Sequence, residues 1–253
     1  MLKKAFFNFS NNITLKLIFC FIIAGKSYCS SPSDSSSTNI FDTSGKFRIE
    51  AAVFGGFGFN SFEIGKTTEN ESVTISPGGG LGGKIGLGYC VSSLFNISAE
   101  FGAQSSDLSK TLKNAKGSFS RSFLAGLLRY KFPITDISSI NIGAGAGYYM
   151  SGKLDLNASQ IENGAHNIYK YKNTAGIIIL CEYELFLPGL NFLNASYSLA
   201  TGLKYANVNY KLNSVTSNGV NVPISLLTSK TKKDVEKLDG SGIDILISFI
   251  MHL

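Results

Sequence analysis

The sequence predicts an all-β fold, an eight-stranded antiparallel up-and-down transmembrane barrel, and three observations carry the prediction. Apolar residues recur at every second position in eight segments, the periodicity of a strand and not of a helix. Charged side chains fall almost wholly on the opposite parity of those segments. The connections between segments alternate between long and short.

Residues 1–29 read as a secretory signal peptide. Lys3 and Lys4 make a basic start, Leu15 to Gly25 an apolar core, and Ser27 and Cys29 supply small residues before cleavage at Ser30. The apolar run is too short for a spanning helix. A lipoprotein reading, with Cys29 as acylation site, lacks the small residue that should stand where Tyr28 is. Residues 30–45, rich in Ser, Asp and Thr, read as a flexible leader with little to bury. Residues 46–253 then make one barrel domain, a size that single barrels reach. The signal holds four lysines and no acid, so the formal charge of +6 reduces to 19 basic against 17 acidic residues beyond it. That balance gives no footprint for nucleic acid.

The first strand runs from Phe47 to Phe59, with Phe47, Ile49, Ala51 and Val53 on one face and Arg48, Glu50 and Phe54 on the other. Gly80 to Val91 sets Leu81, Ile85, Leu87 and Tyr89 against Lys84 and Cys90, and Phe95 to Gln104 sets Phe95, Ile97 and Phe101 against Asn96, Ser98 and Glu100. Phe119 to Phe132 places Leu124, Leu128 and Tyr130 opposite Arg121, Arg129 and Lys131. In Ile140 to Met150 the aliphatic and aromatic parity faces Asn141, Gly143, Gly145 and Gly147. Thr174 to Leu187 sets Ile177, Ile179, Cys181 and Tyr183 against Glu182 and Glu184, and Phe192 to Thr201 sets Leu193, Ala195, Tyr197 and Leu199 against Asn194, Ser196 and Ser198. The eighth strand, Ile243 to Leu253, carries the unbroken apolar row Ile243, Ile245, Ile247, Phe249, Met251 and Leu253, with Asp244, Ser248 and His252 on the other parity. Left as an open edge it would invite aggregation, so it is expected to pair on both sides and close the barrel.

The long connections fall near 60–76, 105–117, 152–172 and 203–238, and the short ones near 92–94, 133–138 and 188–191. Up-and-down membrane barrels have this rhythm, with short turns on one side and long loops on the other. Soluble barrels such as lipocalins alternate as well, but they turn the apolar parity inward. Here the outward parity is apolar and nearly uncharged, as lipid requires: a charge facing mid-bilayer costs about 2 to 4 kcal/mol. The inward parity collects Arg48, Lys84, Arg121 and Arg129 against Glu50, Glu100, Glu182, Glu184 and Asp244. These are expected to be structural charges that pair across strands, such as Lys84 between Glu50 and Glu100, because eight strands leave an interior just wide enough for side chains. Phe47, Phe59, Tyr89, Phe95, Tyr130, Tyr148, Tyr183 and Phe249 are candidates for interface girdles.

A terminal strand apolar at every second position back from the carboxyl end resembles the assembly signal of bacterial outer-membrane barrels, which usually ends in Phe or Trp where this chain has Leu253. The stretch Asn141-Ile-Gly-Ala-Gly-Ala-Gly-Tyr148 resembles the glycine-alternating strand of the opacity-like and OmpX-like surface antigens. The resemblance implies residence in the bacterial outer membrane with a periplasmic amino terminus. It also implies a monomer inserted by the barrel assembly machinery, in contact with outer-membrane lipid and lipopolysaccharide. A role in adhesion to host surfaces and evasion of host defence, hence in virulence, is the function it suggests. A porin or small-solute channel and a purely structural barrel are the alternatives. A charge-filled lumen speaks against the first, and a chain that stops at the closing strand without a wall-binding domain against the second.

Binding is expected in the long loops, since rigid scaffolds carry function there. The longest holds Lys204, Lys211, Lys230, Lys232, Lys233 and Lys237, which suit acidic host polysaccharide or lipopolysaccharide phosphates, or serve only for solvation. The third holds Tyr169 and Tyr171 alternating with Lys170 and Lys172, where interface anchoring is the competing reading.

No catalytic residue, cofactor or metal is expected. Gly78, Gly80 and Gly83 satisfy G-x-G-x-x-G, yet Ile85 stands where Ser or Thr should hold a metal, and a strand follows instead of a helix. His166 lacks the His-x-Ser arrangement of the lipid A deacylases, and His252 belongs to the opposite end. Cys90 and Cys181 fall on opposite faces of non-adjacent strands, so no disulfide is expected between them.

Overall fold

The computed structural model describes residues 42–253 apart from Thr68, Glu162, Asn163 and Asn191. All of them belong to one compact unit, Asn39–Leu253. The expected signal peptide and residues 30–41 of the leader lie outside the described residues.

In chain order the strands are β1 (Phe47–Gly58), β2 (Phe62–Lys66), β3 (Ser72–Ile75), β4 (Gly80–Cys90), β5 (Phe95–Asp107), β6 (Lys116–Thr135) and β7 (Ser138–Asn157). There follow β8 (His166–Tyr171), β9 (Thr174–Phe186), β10 (Ser196–Ser217), β11 (Val220–Val222), helix α1 (Ser229–Val235), β12 (Lys237–Asp239) and β13 (Gly242–His252). Eight of the strands close a ring in the order β1, β4, β5, β6, β7, β9, β10, β13, every neighbour antiparallel. The seam between β13 and β1 runs from Arg48↔His252 to Gly58↔Gly242, so the apolar closing strand is paired on both sides and the ring has no edge.

At one end the ring strands are joined by residues 91–94, 136–137 and 187–195. The last turn is longer than its sequence suggests. Leu193 and Asn194 both take positive φ, so the expected strand start at Phe192 gives way to a turn and β10 begins at Ser196. Nor is the leader loose up to Gly45: the Gly45 N–H donates to the Cys90 carbonyl at 2.8 Å, and Lys131 Nζ donates to Thr43 Oγ1 at 3.2 Å.

At the other end three strands run far past the membrane. β6 and β7 have 20 residues each and β10 has 22, against the roughly 9 to 11 that cross a bilayer. The expected loops at 152–172 and 203–238 are therefore largely strand, and β5 and β6 take in only the two ends of the one at 105–117. The cause is an inversion of polarity along each strand. On β10 the outward residues pass from Leu199, Leu203 and Tyr205 to Asn207, Asn209 and Lys211, while the inward ones pass from Ser198 and Lys204 to Ala206, Val208, Tyr210 and Leu212. The lower half is a barrel for lipid, and the upper half a barrel for water. On β7 the transition coincides with a bulge: Ser151 takes φ 55° and the register to β6 shifts between Ser120 and Ser122.

The upper half is filled by a hydrophobic core that includes Phe119, Phe123, Tyr149, Leu154, Tyr171, Tyr210 and Leu238. Phe119, Tyr171 and Tyr210 meet edge to face with ring centroids 5.6 to 6.1 Å apart. β8 continues the line of β9 between β7 and β10, and β12 continues that of β13 beside β10. The Thr228 hydroxyl caps α1 by accepting the Thr231 N–H at 3.2 Å, and the helix lays Val235 into the core.

Candidate functional site

Three features could carry function: the lumen, the capped end above it, and the outward wall of that end. In the lumen, residues two apart on a strand share the inward face, so Arg48 with Glu50 and Glu182 with Glu184 point in together, and neighbouring strands bring their partners. Lys84 Nζ lies 2.7 Å from both Glu50 Oε1 and Glu100 Oε1. Glu50 Oε2 also accepts from Arg48 Nη2 at 3.1 Å and from Arg129 Nη2 at 3.2 Å, and Arg129 pairs with Glu100 as well. Arg48 Nη1 reaches Glu184 Oε2 at 3.1 Å, where Asn141 Nδ2 donates at 2.6 Å, and His252 Nε2 lies 3.1 Å from Glu184 Oε1. Glu182 is held at longer range, 3.5 Å from Arg129 Nε.

A second layer sits nearer the long-loop end. Lys204 Nζ is 3.0 Å from Asp244 Oδ2 and lies over the rings of Phe54 and Phe123, 4.2 and 4.6 Å from their centroids. Gln104 links the layer, donating to Asp244 Oδ1 at 2.9 Å and accepting from Arg121 Nε at 2.9 Å, while Arg121 Nη1 donates to the Gly240 carbonyl at 2.6 Å. All nine lumen charges read from the sequence are buried. So are Lys131 and Lys204. The aromatic core closes the barrel above this layer. At the other mouth, a cavity of about 10 Å³ beside Arg48, Cys90 and His252 has room for no more than a single water.

Of the residues expected in binding loops, several stand elsewhere. Lys204 is inside the barrel, because β10 continues through it and its parity faces the lumen. Tyr169 and Tyr171 are buried, 6% and 4% exposed, because β8 is a strand with its aromatic parity inward. Lys211 is exposed on the outward face of β10, Lys237 is exposed at the start of β12, and Lys230, Lys232 and Lys233 fall on α1. His166 is paired, its Nε2 2.8 Å from Asp155 Oδ1. Cys90 and Cys181 are both free thiols. The sequence reading missed Lys153, which shares the outward wall with Lys170, Lys172 and Lys211; it noticed Lys170 and Lys172 only as companions of Tyr169 and Tyr171 in a loop.

The outward surface of the lower half is a continuous apolar band in which Val53, Leu81, Ile85, Leu87, Ile177 and Ile247 are all exposed, ringed by Phe47, Tyr89, Tyr130, Tyr148 and Tyr183. A patch of this extent on eight closed strands is a lipid-facing surface. Among solved structures the fold matches the outer membrane protein OprG from Pseudomonas aeruginosa at a TM-score of 0.51 and 16% identity, over 83% of this chain and 96% of that one. The chain folds as an outer-membrane β-barrel. Two further matches to this barrel are looser. AlkL, solved by solid-state NMR in lipid bilayers, is 12% identical over 88% of this chain and 95% of its own, with a TM-score of 0.42. Ail of Yersinia pestis, solved with the heparin analogue sucrose octasulfate, is 12% identical over 82% of this chain and 99% of its own, with a TM-score of 0.41. No protein-family model matches the sequence of the barrel, and no curated protein does.

Proposed function

We propose that this outer-membrane barrel is a surface-interaction protein, in which the membrane half anchors and the capped half presents a rigid binding surface to the exterior, as in adhesion to host surfaces or evasion of host defence. The observation that carries the reading is the packed interior. Two layers of paired charge and an aromatic core occupy the interior, which speaks against a porin or small-solute channel. What remains for function is the exposed exterior. β8, β11 and β12 are laced to β7 and β10 by hydrogen-bonded registers, so the cap meets a partner already ordered and loses little conformational entropy on binding.

The test replaces residues 218–236, which carry β11 and α1, by a short turn while leaving the ring strands intact. Bacteria displaying this variant at the normal surface level should lose adherence to host cells. Undiminished adherence would refute the assignment, and stable open conductance of the wild-type barrel in planar bilayers would favour a channel.

A further inference from the structure

The outward wall of the capped half carries a charge pattern used neither by the lumen nor by the aromatic core. In the register of β7 with β8, Lys153 stands directly opposite Lys170. Lys172 lies two residues beyond Lys170, where strand geometry gives both the same face, and its N–H donates to the Lys211 carbonyl at 2.9 Å. Lys211 in turn stands opposite Lys237 of β12. Five lysines thus occupy adjoining outward positions. Opposed positions lie about 5 Å apart and alternate ones about 7 Å, so the patch is on the order of 15 Å across.

Like charges directly opposite one another destabilise a sheet, and little within the protein relieves these. Lys153 reaches Asp155 at 3.1 Å, but Asp155 also holds His166. Asp239 is engaged by Asn60 and by the Ser241 N–H. Glu236 lies next to Lys237 in sequence and Asp234 three residues before it, both exposed to solvent. Among the described residues no ion pair involves Lys170, Lys172, Lys211 or Lys237. Elsewhere on the same half the balance differs: Lys110 pairs with Glu71, Lys66 donates to Asn70 at 3.1 Å, and the outward positions of β6 hold a single lysine, Lys116, which faces Asn157 and is followed by Ser118, Ser120 and Ser122.

Height selects the partner. The uppermost large outward aliphatic of β9 is Ile177, five positions below Lys172 with only Ala175 between them on that face. At about 3.3 Å per residue and a tilt near 40°, the patch begins roughly 13 Å above the hydrocarbon edge. Lipid headgroups fill roughly the first 5 to 8 Å of that interval, and lysine stems reach down toward them. We propose that this wall binds phosphate-bearing glycolipid headgroups of the surrounding outer leaflet, the five ammonium groups holding several phosphates at once. A lipid source fits better than a soluble polyanion, because the patch faces sideways above the apolar band and does not crown the cap. The inference rests on the membrane placement of the barrel, not on adhesion, so loss of adherence and loss of lipid binding are separate outcomes.

The test uses the full chain folded in zwitterionic micelles and native mass spectrometry, with bis-phosphorylated lipid A as the probe. Wild type should retain lipid A at least tenfold more tightly than the same lipid stripped of phosphate. Each Lys→Gln substitution should weaken binding by roughly up to fivefold. The quadruple variant K170Q/K172Q/K211Q/K237Q should lose more than tenfold, whereas K66Q/K110Q/K113Q/K116Q, with the same charge change, should stay within twofold of wild type. A boiling-dependent gel shift checks that both are folded, and K170Q/K237Q stands in should the quadruple variant fail to fold. Equal losses in the two quadruple variants, no loss in the first, or indifference of wild type to the phosphates would overturn the site. Tight capture of a soluble sulfated oligosaccharide without lipid A would overturn the lipid assignment.

Discussion

Replacing Asp244 by alanine removes the carboxylate that faces Lys204 at 3.0 Å, with both side chains 3% exposed. An ion left unpaired in such a site costs about 3 to 5 kcal/mol. Part of that is offset, because the rings of Phe54 and Phe123 stay 4.2 and 4.6 Å from the ammonium and retain about 1 kcal/mol. The expected loss is therefore about 2 to 4 kcal/mol. With a urea slope near 2 kcal/mol per molar, the unfolding midpoint should fall by about 1 to 2 M. Lys204→Met should cost a similar amount, since Asp244 keeps only the Gln104 amide at 2.9 Å.

The double variant Lys204→Met, Asp244→Ala removes both charges, and its stability should return to within about 1 kcal/mol of wild type. That restores most of what each single change removes, a coupling that two independent surface residues do not show. Urea titration of the barrel refolded in phospholipid vesicles, read by boiling-sensitive gel mobility, measures all four states. Single variants within about 0.5 kcal/mol of wild type, with additive effects, would mean that Lys204 is solvated in a loop and that β10 ends before it.

Three further outcomes are expected. Tyr210→Ala should destabilise the cap by about 3 kcal/mol, since Tyr210 is fully buried against Phe119 and Tyr171, and limited proteolysis should then cut within 218–241 while the membrane half stays folded. Burial pushes the Asp155 carboxyl up, but hydrogen bonds from His166 and Lys153 outweigh it and hold the group below the usual carboxylate range. Its contribution is thus present above the unfolded value and lost as pH falls through the folded one, so protection against hydrogen exchange across β7 and β8, relative to the intrinsic rate at each pH, should fall in acid for wild type and show no such step in Asp155→Asn. Cys90 is buried and unpaired, so a thiol reagent should modify it in the folded barrel far more slowly than after boiling in detergent; equal rates would place it at the surface.

The membrane half of the fold was legible in the sequence because lipid imposes one rule on every spanning strand. Ile243 to Leu253 and the glycine strand Asn141 to Tyr148 each show it without a neighbour's help. The upper half was not legible by that rule. At Tyr205 and Ala206 of β10 the apolar residues change parity, so a reading that follows outward apolar residues stops there and takes a strand for a loop. Tyr169 and Tyr171 are lost for the same reason: spaced two apart beside lysines they suit an anchored loop, and only the register of β8 with β7 and β10 turns them inward. Lys170, Lys172, Lys211 and Lys237 stand out singly in the sequence, but the wall they form with Lys153 was not legible, because adjacency across strands is a property of register that one sequence does not display.

The parity change also explains why the cap needs no separate domain. A strand entering water from lipid keeps its backbone pairing, and only the side chains must exchange places, polar outward and apolar inward. β6, β7 and β10 do this within a few residues, so the ladders that cross the membrane also carry β8, β11 and β12. The inward aromatic core then stabilises the upper half while closing the lumen beneath it. Anchorage, closure and a preordered outer surface thus follow from one change of pattern, and a substitution that restored the lipid parity at Asn207, Asn209 and Lys211 should convert a soluble wall into an aggregation-prone one.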